Sequence, residues 1–171
     1  MNPAHLHLLI THLPIFGSLL GGIVLAQGLW TKSDQTKIAA YTLLIISFIA
    51  AVIGYVSGEG AEEIVEKIQG VSEDIIERHS DFAAFALAGL IVLGISSIAG
   101  LVFTYRQSPM KRQFAFLTLF ISLISFGLVV KTGYLGGQIR HTELNSSSIN
   151  SVQGHDYQND KDDDNNDKDK D

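Results

Sequence analysis

Four apolar stretches dominate the first 142 residues: roughly 8–30 (LLITHLPIFGSLLGGIVLAQGLW), 38–57 (IAAYTLLIISFIAAVIGYVS), 82–105 (FAAFALAGLIVLGISSIAGLVFTY) and 114–135 (FAFLTLFISLISFGLVVKTGYL). Each has the roughly 20 residues that an α-helix needs to cross a hydrocarbon core of about 30 Å. Only Lys131 is formally charged inside any of them. Helices of soluble proteins normally show a polar stripe, and these segments have none. The pattern predicts an all-α protein, a four-helix transmembrane bundle formed by residues 1–142. No Lys or Arg precedes the first span, and its apolar run exceeds that of a signal peptide, so it reads as a retained helix.

The flanks predict finer features. Asn2 and Pro3 form a helix start, cap then first-turn proline. Helix one should run from Pro3 to about Trp30, kinked at Pro14, which lacks a backbone N–H. Gly17 and Gly21, followed by Gly22, suit close helix contact. Between spans two and three, Ala61, Ile64, Val65 and Ile68 recur at helical spacing among Glu62, Glu63, Glu66 and Lys67. This predicts a short amphipathic interfacial helix ended by Gly70. Ser72 then caps a new helix, with Glu73 and Asp74 in its first turn, running through His79 into span three.

Charge changes the picture at the C-terminus. The net charge is −6, and residues 156–171 alone carry eight Asp and three Lys. Residues 143–171 cannot bury enough apolar surface to fold and read as a disordered, solvated acidic tail. The remainder is near neutral, so no nucleic-acid partner is implied. Cysteine is absent, which excludes disulfides, thiolate metal sites and iron–sulfur ligation. Lys32 and Lys37 lie in the first loop and Arg106, Lys111 and Arg112 in the third. The positive-inside bias therefore predicts both termini outside.

An even number of helices puts all six histidines on one side of the membrane. His5, His7 and His12 precede or open span one, His79 opens span three, His141 follows span four and His155 lies in the tail. Helical geometry of about 100° per residue puts His5 and His12 on one face and His7 roughly 160° from His5. One helix therefore cannot aim all three at one centre, and His79 and His141 are the complements at the same depth. A polar residue within a span faces the bundle interior by default, which favours His12. Two facing imidazoles can hold a haem iron. The candidate haem residues are His7, His12 and His79, with Lys131 and Arg140 near the propionates. Snorkelling to the headgroups is the plainer role for Lys131. A non-haem metal would instead draw on His5, His7, His12, His79, His141 and Glu59. No HExxH or similar pattern is present, which argues against a hydrolase and an independent enzyme.

Three stretches, HLLITHLPI (7–15), ERHSDF (77–82) and TGYLGGQIRH (132–141), resemble a family of uncharacterised bacterial integral membrane proteins of about four helices, a domain of unknown function. Its members look like HPxLVHFPI at helix one and GYLGGxLVYRHG at the end of helix four, with a histidine opening helix three. His7, His12 and Pro14 match the first motif, His79 the second, and Gly133, Tyr134, Gly136 and Gly137 the third. Leu8 replaces the proline after the first histidine, and His5 and the acidic tail are additions. Some members are fused to Rieske-type or cytochrome domains, so the resemblance implies an electron-transfer setting. Three functions stay open: a b-type haem protein passing electrons near the outer face, a non-haem metal-binding membrane protein, and a cofactor-free accessory or scaffold subunit. The partners implied are the lipid bilayer and a redox partner or membrane complex, with a homo-oligomer also open.

Overall fold

The protein is represented by a computed structural model that describes the backbone of residues 3–65 and 73–163 and the side chains of 5–62 and 73–139. Five helices follow one another: α1 (Pro3–Ile10), α2 (His12–Trp30), α3 (Asp34–Val65), α4 (Glu73–Tyr105) and α5 (Lys111–Asp163). Helix one is α1 and α2 together, interrupted at Thr11. The break lies three residues before Pro14, whose missing N–H releases the carbonyl of Ile10. The four spanning helices cover His5–Trp30, Asp34–Glu62, Glu73–Tyr105 and Lys111–Ile139. Each is long and apolar enough to cross a membrane, and the chain is an integral membrane protein.

Two segments differ from the sequence reading. Ala61, Ile64 and Val65 continue α3 rather than starting a separate helix. Gly58 and Gly60 do not stop it, since an isolated helical glycine costs only about 1 kcal/mol. Asn2, Ile68, Gly70 and Ser72 lie outside the described residues, while Glu73 and Asp74 do form the first turn of α4. The backbone of α5 continues as helix to Asp163, into the stretch expected to be a solvated tail. Its sequence there supplies no apolar stripe to bury.

α2 packs on α3 and α5, and α4 packs on the same two, so α2 and α4 stand diagonally across the bundle; α1 leans on α3. Large apolar side chains such as Leu20, Ile23, Ile95, Phe120 and Leu123 point outward, while the interior holds Leu25, Leu44, Leu90 and Leu93 with many small residues. Lipid gives no hydrophobic drive between helices, so close contact and hydroxyl bonds hold them together. Ser47 Oγ donates to the Pro14 carbonyl (3.1 Å), Ser122 Oγ to that of Ser18 (2.9 Å) and Ser125 Oγ to that of Gly89 (3.1 Å). Ser96 and Thr118 hydroxyls meet at 2.6 Å.

The end of the bundle opposite the histidines is fastened by its two short loops. α2 and α4 end alike, with Lys32 (φ 55°) and Gln107 (φ 52°) in the left-handed region. Ser33 N donates to the Gly28 carbonyl (3.1 Å) and Ser108 N to that of Phe103 (3.0 Å), a Schellman closure at each helix end. Lys32 is exposed, and an L-residue in this conformation costs about 1–2 kcal/mol. Lys32→Gly is expected to raise the thermal midpoint in detergent by the equivalent of about 0.5–1 kcal/mol, because unfolded-state freedom offsets part of the relief. A lower midpoint would show that Lys32 makes stabilising contacts.

Asp34, in the first turn of α3, joins the loops. Its carboxylate takes Lys37 Nζ at 2.6 Å, Lys111 Nζ at 2.6 Å and Gln107 Nε2 at 3.1 Å. Lys37 is only 5% exposed, so losing its partner strands a cation. Asp34→Asn is expected to destabilise the bundle by about 1–2 kcal/mol, discounted for the partial exposure of the carboxylate. A thermal melt in detergent checks it, and an unchanged midpoint would mean that water replaces the carboxylate without loss.

Candidate cofactor site at the histidine end

His7 on α1 and His79 on α4 come from the diagonal pair of spans and meet inside the bundle. Their ring centroids are 6.4 Å apart with planes at 84°. His7 Nδ1 lies 2.8 Å from the Gly54 carbonyl of α3, and His79 Nδ1 lies 3.0 Å from the Thr132 carbonyl of α5. A carbonyl only accepts, so each Nδ1 carries the proton. In the neutral form of either ring the lone pair is then on Nε2. Thr132 is itself anchored, its Oγ1 donating to the carbonyls of Leu128 (3.0 Å) and Phe82 (3.3 Å).

The two halves of the site repeat one device. A helical side chain covers the turn N-terminal to its own Cα, so the residue four positions after a carbonyl shields it. That residue is Gly58 for Gly54 and Gly136 for Thr132. A Cβ on Gly58 would lie 3.1 Å from Cε1 of His7, and one on Gly136 would lie 3.1 Å from Cε1 of His79. Both glycines thus open a carbonyl to an imidazole from another helix. The sequence reading named Gly136 as part of a family motif and missed Gly54, Gly58 and Thr132 as partners. The available signal was a small residue, three others, then glycine, in GYVSG (54–58) and TGYLG (132–136).

The remaining predicted site residues stand elsewhere. His12, favoured as the interior histidine, is exposed, its Nδ1 2.9 Å from the Leu8 carbonyl of the same helix. Five residues after His7, it is rotated by about 140° from the inward face. His5 and Glu59 are also exposed. Lys131 sits with Nζ 4.0 Å from the Phe82 ring centroid, a cation–π contact on the outside of the bundle. The side chains of Arg140, His141 and His155 lie outside the described residues. Among the described residues, no three His, Asp or Glu side chains gather as a metal site. Glu62, Glu73, Glu77, Ser80 and Asp81 line a polar cleft of about 300 Å³ where α3 ends and α4 begins.

Searches of protein-family models, curated proteins and solved structures return no match to this chain.

Proposed function

We propose that this membrane protein binds b-type haem, with His7 and His79 as axial ligands, and serves electron transfer at the outer face of a bacterial cytoplasmic membrane. The observation that carries the reading is the His7–His79 pair. The two rings lie 6.4 Å apart, centroid to centroid, and would hold a haem iron through their Nε2 atoms. Each ring already donates Nδ1–H to a backbone carbonyl, the arrangement that orients a ligating histidine and raises its basicity. Two nitrogen ligands suffice for an iron whose other four positions a porphyrin fills, whereas an isolated metal ion needs three or more protein ligands.

When bound, haem supplies a one-electron iron couple. The chain's own part is to set the two imidazoles and hold the site close to one membrane face. The reading agrees with the proposed membership in the bacterial four-helix membrane family whose motifs carry His7 and His79.

The test is an absorption spectrum of the full chain, purified in detergent from haem-replete cells, oxidised and then reduced with dithionite. The expected result is a Soret band that shifts on reduction, with sharp α and β bands. A featureless spectrum with stoichiometric metal by elemental analysis would replace haem by a non-haem metal. No metal either would leave an accessory subunit in a membrane complex.

A further inference from the structure

Among the described residues, two buried hydroxyls in the loop half of the bundle make no well-formed hydrogen bond: Tyr41 Oη on α3 and Ser97 Oγ on α4. Both residues are 0% exposed. Tyr41 inserts its ring into the notch left by Gly100, where an added Cβ would lie 2.7 Å from Oη. Ser97, Gly100 and Thr104 follow one another at spacings of three and four on α4, and all are buried. Positions so spaced have Cβ atoms about 5–6 Å apart. Tyr41 Oη reaches the α4 strip at Gly100, within one turn of Ser97. The neighbouring Thr104 hydroxyl gives its proton to the Gly100 carbonyl (2.7 Å) and lies near Tyr41 Oη without forming a well-shaped hydrogen bond to it.

We infer that this strip is a binding site for an internal water, held by Tyr41 Oη, Ser97 Oγ and the free lone pair of Thr104 Oγ1. Leaving a phenol and a serine hydroxyl unbonded in a hydrocarbon-embedded core is costly, and water is the ligand small enough to serve both. Polar groups lead from the site to the loop surface. Gln107 Nε2 donates to the Thr104 carbonyl (3.1 Å) and to Asp34 Oδ2 (3.1 Å), and Asp34 is bound by Lys111. These groups form a polar strip between the aqueous loop end and Thr104. The inference stands apart from the haem reading, since it uses the opposite half of the bundle.

Radiolytic hydroxyl-radical footprinting of the full chain in detergent tests it directly. A bound water generates radicals in place, so Tyr41 should be oxidised despite complete burial, at a rate insensitive to bulk scavenger. Exposed Tyr105 should be labelled in a scavenger-sensitive way. Tyr41 as unreactive as a dry core residue would overturn the proposal. Thermal midpoints give a second, sign-based readout. With a bridging water, Tyr41→Phe and Ser97→Ala each lower the midpoint by roughly 2–4 °C. The double variant then loses little more than the larger single loss, because both remove the same bridge. In a dry core, Tyr41→Phe removes an unsatisfied group and leaves the midpoint unchanged or higher, which also overturns the proposal.

Discussion

Replacing either His7 or His79 by alanine is expected to abolish the sharp reduced α and β bands of the haem-loaded protein, whereas His5→Ala and His12→Ala leave them in place. The contrast follows from helix phase. His7 faces across the bundle to His79, while His5 and His12 lie on the outward side of helix one. On the proposed reading, removing one imidazole would take away one of the two residues that hold the iron and leave a cavity beside Gly58 or Gly136. Added imidazole should restore the six-coordinate spectrum in the alanine variants, because the vacated space has the shape of the ring removed. The opposite pattern, bands lost with His12→Ala and kept with His7→Ala, would place the iron outside the bundle and refute the assignment. Gly136→Leu is a subtler version: the new side chain meets the His79 ring, and the bands should broaden without mutation of a ligand.

Much of this arrangement can be read in the sequence, and the limits have identifiable causes. Span number follows from length and the near-absence of charge, properties of each segment alone. The choice of His7 over His12 does not, because two residues on opposite faces of one helix look alike until the neighbouring helices fix which face is inside. The default that an intramembrane polar residue points inward favours His12, yet its ring is satisfied by a carbonyl of its own helix, so it can face outward. The carbonyl partners are less legible still. Any backbone carbonyl is a possible acceptor, and what distinguishes those of Gly54 and Thr132 is the lack of a side chain four residues later. The interfacial helix expected after span two merges into α3 because glycine weakens a helix without ending it.

The second large effect concerns Gly28, near the end of α2. A Cβ there would lie 2.9 Å from the backbone N of Lys37 and 3.3 Å from the carbonyl carbon of Thr36. These atoms cannot turn aside as a flexible side chain does. Ser33 caps α3 through its Oγ, which accepts from Thr36 N (3.2 Å), and Lys37 N donates to the Ser33 carbonyl (3.2 Å). The Lys37 side chain is tied to Asp34, and Gly28's own carbonyl receives Ser33 N in the loop closure. Adding one methyl must therefore push α2 away from α3 or open the loop. Gly28→Ala is expected to cost about 1–3 kcal/mol, the usual range for overpacking a filled interior. Gly127 on α5 is the control, since an added Cβ meets nothing within 4 Å. Gly127→Ala should leave stability unchanged or raise it by up to about 1 kcal/mol through helix propensity. Thermal melts of the two variants in the same detergent give the comparison. Equal midpoints would mean that the α2–α3 junction yields to a methyl group, and that helix contact at this end is looser than the Asp34 cluster and the loop closures make it.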